Sequence, residues 1–138
     1  MNGNTAQVDD LQLIALPTAV NCADIFVRFS LGEWALRPMA DEAAFAACQL
    51  VGAAVDSANP RAPGMLTVRL RLSGDCLVIE VEGHQMSRPP NISGKRVGAE
   101  PLRGGATLVW CELPLPVGLT AASVPLPRRE RRKPPSTA

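Results

Sequence analysis

Residues 41–58 read Asp-Glu-Ala-Ala-Phe-Ala-Ala-Cys-Gln-Leu-Val-Gly-Ala-Ala-Val-Asp-Ser-Ala. Ala44, Phe45, Cys48, Val51, Gly52 and Val55 recur at helical spacing, while Ala43, Ala46, Ala47, Leu50, Ala53 and Ala54 leave almost no polar face between Glu42 and Asp56. A helix apolar all round is expected to be buried, with the rest of the chain packed about it. Asp41 is the expected N-cap, Glu42 adds negative charge at the positive end of the helix dipole, and Asn59-Pro60 stops the helix.

Working outward, residues 66–72 and 77–82 make the clearest strand pair in the chain. With Gly74 and Asp75 at the centre of a tight turn, Leu72 faces Leu77, Leu70 faces Ile79 and Val68 faces Val81, and Arg69 meets Glu80 on the other side. A slip of one residue would set arginines against the apolar set, so the alternation selects this register. On the N-terminal side, residues 1–9 are expected to be disordered. A strand follows over 10–16, in which Leu11, Leu13 and Ala15 alternate with Gln12 and Ile14. Thr18 is a candidate N-cap for a helix over 19–36 whose inward stripe is Ala23, Phe26, Val27, Ser30, Leu31 and Trp34, and Arg37-Pro38 closes it. These elements form one α/β domain with no catalytic constellation in its sequence.

A chain of 138 residues with 46% hydrophobic and 20% charged residues has the composition of an ordinary globular domain. It shows no signal-peptide pattern and no apolar run of membrane-spanning length, which places it in the cytoplasm as an expectation. Cys22, Cys48, Cys76 and Cys111 are dispersed among apolar neighbours, without a Cys-x-x-Cys pair and with His84 as the only histidine. Reduced, buried thiols are therefore expected rather than zinc ligands or a Cys-His pair. The net charge of +1 conceals an asymmetry: Arg128, Arg129, Arg131, Arg132 and Lys133 against Glu130 give the C-terminal tail +4 and leave the body at −3. An acidic body argues against general nucleic-acid binding, although the tail suits an acidic partner. Residues from about 117 to 138 lack periodicity and are expected to form an extended tail. His84 beside Glu82, Ser93-Gly94-Lys95 as a fragment of a phosphate loop, and Pro125-Leu126-Pro127 as a proline-rich ligand each lack the companion residues such sites require.

Two stretches carry a resemblance. Gln49-Leu50-Val51-Gly52-Ala53-Ala54-Val55-Asp56-Ser57-Ala58 is similar to the central helix box of GHKL-type ATPases, above all the serine kinases that act as anti-sigma factors. Leu16-Pro17-Thr18-Ala19-Val20, Ala23, Phe26-Val27-Arg28, Leu31 and Trp34 resemble the opening pattern of the same subfamily. The segment 97–114, with Gly104-Gly105 and Val109-Trp110-Cys111-Glu112-Leu113-Pro114, is similar to its closing strands. By that resemblance Gly104-Gly105 make a turn and residues 107–113 a central strand.

The resemblance implies a two-layer sandwich over residues 10–116, a mixed β-sheet packed on helices, with a shortened or missing ATP lid near 83–96. It also implies where chemistry would sit, and there the chain departs from the pattern. Gln49 stands where the family has its general-base Glu, and Ala53 where it has the magnesium-holding Asn. Gly83 stands where it has the adenine-reading Asp, and Gln85 replaces a glycine. A carboxamide takes up no proton near neutral pH and a methyl group offers no oxygen to a hard cation. No catalytic residue, cofactor or metal is therefore expected. The expected function is a non-catalytic regulator that binds a sigma factor or an anti-anti-sigma (STAS-type) protein, without direct nucleic-acid or membrane contact. Its candidate partner residues are Arg28, Phe29 and Glu33 on the first helix, together with the region left by the lid. The alternatives are a residual ATP-binding kinase of that family, or a structural subunit that uses only the fold. Phe29 packing on a second copy of the chain is a further alternative.

Overall fold

The computed structural model describes residues 8–84 and 88–124. Strand β1 (Val8–Ile14) is followed by helices α1 (Thr18–Glu33) and α2 (Ala40–Ser57) and then by β2 (Met65–Ser73), β3 (Cys76–Gly83), β4 (Arg96–Pro101) and β5 (Thr107–Pro114). The five strands form one sheet in the order β1-β2-β3-β5-β4, and both helices lie on one side of it. This is a two-layer α+β sandwich. Every neighbouring pair is antiparallel, so the expected mixed sheet is corrected: β3 and β4 run the same way, but β5 lies between them.

The β2–β3 hairpin has the expected register, with Leu72 opposite Leu77, Leu70 opposite Ile79, Val68 opposite Val81 and Arg69 opposite Glu80. Gly74 turns the chain with a φ of 59°, a conformation a side chain would strain. The alternating residues Leu66, Val68, Leu70, Leu72, Leu77, Ile79, Val81, Val109, Cys111 and Leu113 point to the helices and are buried with them. Strand β1 begins at Val8, inside the stretch expected to be disordered, because it pairs along its whole length with β2.

Both helix starts differ from expectation. Pro17 occupies the N-cap of α1 and Met39 that of α2, neither with a side-chain cap; Thr18 lies inside its helix, and Asp41 sits in the first turn of α2. At its other end α1 stops at Glu33. The Leu36 amide donates to the Leu31 carbonyl and the Ala35 amide to that of Gly32, closing a Schellman turn with Ala35 at a φ of 60°. The interior side chains of Leu31, Trp34 and Leu36 hold this turn in the core. Ser30, also buried, donates from Oγ to Asp9 Oδ2 at 2.7 Å and ties α1 to the edge strand.

The expected tail begins later than residue 117. Leu115, Ala121 and Val124 are buried, the Leu115 amide donates to the Asp75 carbonyl, and the Ala121 amide donates to that of Gly74. The hairpin turn thus offers its carbonyls as anchors for the segment after β5. Residues 125–138 lie outside the described residues. No helix among the described residues is long and apolar enough to cross a membrane.

Candidate functional site

Helix α2 is not buried all round. Ala43, Ala44, Ala46, Ala47, Leu50, Val51 and Ala54 face the sheet and α1, while Phe45 is 57% exposed and Gln49 is exposed too. A helix with a sheet beneath and one helix beside it keeps an outward sector, and here that sector carries an aromatic ring.

The two acids of its first turn point to opposite neighbours, as consecutive helical residues about 100° apart can. Asp41 Oδ1 accepts from Arg28 on α1 at 2.7 Å, and Arg28 also reaches Asp24 at 3.0 Å. These carboxylates, Asp41 foremost, raise the guanidinium pKa above its ordinary value. Glu42 pairs instead with Lys95, on the connection between β3 and β4. The described part of that connection, residues 88–95, lies on the helix side of the sheet, where Ile92 is buried in the core and Lys95 meets Glu42. The region expected to be left open by the lid is therefore occupied by a short strap.

Gln49 and Ala53 follow Glu42 at helical spacing and share its side of α2. The groups there are an exposed carboxamide, a methyl group, a carboxylate already paired with Lys95, and a buried Ile92 side chain. Gly83 closes β3 without a side chain, and Gln85 lies outside the described residues. This donor set does not fit a magnesium nucleotide, which needs several oxygen ligands and a base. Nor, among the described residues, do three or more His, Cys, Asp or Glu side chains come together as a possible metal site. His84 is exposed and borders a hollow of about 300 Å³ with Met65, Thr67, Glu82, Gly83 and Ala106, with no second imidazole or thiol among them.

The candidate partner residues on α1 are only partly brought together. Phe29 is 59% exposed, as expected for a residue off the inward stripe. Arg28 is exposed but engaged by two carboxylates, and Glu33 is half-buried. The sequence reading missed Ile25, which is 59% exposed one turn before Phe29, and Phe45 on α2. The spacing of Cys22, Ile25 and Phe29 carried that signal, since it traces a second apolar stripe outside the buried one. The helix layer thus presents apolar side chains on both helices, with Arg28 paired to Asp24 within α1 and to Asp41 across to α2. The strap is not continuous with the α1 surface, because α2 separates them.

The cysteines depart from the buried reading as well. Only Cys111 is buried; Cys48 and Cys76 are half-buried and Cys22 is exposed, all as free thiols. Burial raises the thiol pKa of Cys48, Cys76 and Cys111, which lowers their thiolate content and their nucleophilicity.

The chain matches no family model and no curated protein.

Proposed function

We propose that this protein is a non-catalytic, anti-sigma-like regulator that works by stoichiometric capture of a sigma factor or an anti-anti-sigma partner. The observation that carries the reading is the outward face of the helix layer, where Phe29, Ile25 and Phe45 are each more than half exposed. Ile25 and Phe29 stand one turn apart on α1 and Phe45 lies on the outward sector of α2; exposed apolar side chains of this size suit a protein interface, and aromatic residues commonly anchor one. The resemblance of residues 16–34 and 49–58 to the anti-sigma kinases supplies the class of partner. The donor set on the strap side of α2 supports a role without phosphoryl transfer. Control then rests on competition between partners for one surface, governed by relative affinity and abundance.

Affinity purification of the tagged chain from its native host tests this. A sigma factor or a STAS-type protein is expected with the parent, and Phe29→Ala with Ile25→Ser is expected to lose it while melting at the parent temperature. Retention of every partner by a folded double variant would show the surface to be wrong. A rise in melting temperature of several degrees with magnesium ATP would favour the kinase alternative, because a ligand that binds the folded state stabilises it.

A further inference from the structure

The opposite side of the sheet carries a second surface, independent of the helix layer. No described element packs over it. The strand registers place Asp10, Arg69, Glu80, Trp110 and Gly98 in one row straight across all five strands. Trp110 lies against Gly98, where an added Cβ would meet its ring at 2.3 Å, so glycine on the edge strand is what lets the indole lie flat. The ring is half-exposed and walls a hollow of about 250 Å³ with Leu108, Val78, Arg71, Glu100 and Glu112.

The carboxylates at this hollow are unequally engaged. Glu80, which also borders it, is held by Arg69 at 3.1 Å and Arg71 at 2.8 Å. Glu112 has only a 3.3 Å contact with Arg96, itself largely exposed. No hydrogen bond or ion pair among the described residues reaches the carboxylate of the exposed Glu100. Across the face, Asp10, Glu80, Glu82, Glu100 and Glu112 stand against three arginines, so negative charge is in excess. A partly exposed indole beside under-compensated carboxylates suits a guanidinium, which stacks on the ring and pairs with the acids.

The chain holds such an occupant within reach. Ala121 is anchored at the hairpin turn and Val124 is buried beside it. Trp110 lies four residues along β5 from Pro114, which pairs with Cys76 at that same end of the sheet, roughly 14 Å away. A fully extended chain spans at most about 14 Å over the four residues from Val124 to Arg128 and at most about 30 Å to Lys133. Residues 128–133 carry five cations and one acid.

We propose that the basic segment 128–133 docks in cis on this outer sheet face, an arginine stacking on Trp110 and facing Glu100 and Glu112. Single exposed ion pairs are weak, so the contact depends on several arginines and on the high effective concentration of a tethered segment. It is salt-sensitive for the same reason.

Fluorescence quenching by acrylamide tests this on the full chain, since Trp34 is fully buried and Trp110 alone is accessible among the two tryptophans. Replacing Arg128, Arg129, Arg131, Arg132 and Lys133 together by Ser is expected to raise Trp110 quenching about twofold at low salt, and about 0.5 M NaCl to bring the parent to the same level. Glu100→Lys, with the tail intact, is expected to give the same rise. Equal quenching of parent and tail variant at low salt would overturn the proposal. So would shielding that grows with protein concentration, which would assign the contact to the tail of a second copy.

Discussion

On the helix side of the sheet, alternate residues of β2, β3 and β5 are sealed beneath α1 and α2. On the other side their sequence neighbours form a lattice of charges with no described layer above it. Yet that second side is not simply solvated. Glu80 is only 5% exposed and Val78 is buried, covered by Arg69, Arg71 and Trp110, whose long side chains lie across the strands. The contrast teaches that burial on one side comes from a second layer of backbone and on the other from side chains alone. The first should be costly to cut and the second cheaper but specific.

The largest effect is expected at the helix side. Leu70→Ala removes a fully buried side chain from the central hairpin and should cost about 2–5 kcal/mol in urea unfolding, against less than about 0.5 kcal/mol for Thr67→Ala on the other side. Comparable losses at the two positions would break the comparison.

Next come substitutions that probe how the outer side covers itself. Gly98→Ala drives a methyl group into the Trp110 ring and should destabilise by about 1–3 kcal/mol while shifting Trp110 emission. Gly52→Ala, on a helix with nothing within 4 Å, should instead stabilise by about 0.5–1 kcal/mol. Opposite signs from two glycine-to-alanine changes would sharpen the point that one glycine is a packing requirement and the other is not. Glu80→Gln leaves Arg69 and Arg71 without their shared charge and should cost about 1–2 kcal/mol, a moderate figure because both arginines are partly in water.

A smaller gain is expected from Ala35→Gly, about 0.5–1 kcal/mol, since Ala35 holds a positive φ that glycine adopts without a Cβ clash. Thermal melts of single variants measure it, and a loss would mean that the Ala35 methyl group contributes packing.

The smallest effects concern the thiols. At pH 8 Cys22 should react with a maleimide at least about tenfold faster than Cys48, and Cys111 only as the fold opens. Because folding raises the thiol pKa of Cys48, Cys76 and Cys111, the unfolded chain loses those protons first as pH rises. Stability contributed by the neutral thiols is therefore present below the ordinary thiol range and declines above it.

Within the sequence, the hairpin was legible residue by residue, because a period of two with charged partners admits a single register and Gly74 supplies the turn. The inward stripe of α1 was legible for a similar reason, and so was the exposure of Phe29. At the candidate site, the chemistry of Gln49, Ala53 and Gly83 is a property of residue type and required no coordinates. Alanine is the exception: a helix as rich in it as α2 gives no direction from periodicity, since a methyl group suits a core and a surface alike. Only packing against β3, β5 and α1 decided that Phe45 faces outward. Tertiary structure likewise sent Asp41 to Arg28 and Glu42 to Lys95, buried Ile92 of the strap in the core, anchored residues 115–124 on the hairpin turn, and aligned Asp10 with Gly98 across the sheet. Each of these joins residues far apart in the chain, where local pattern has no hold and the partner is chosen by which surfaces the closed fold brings together.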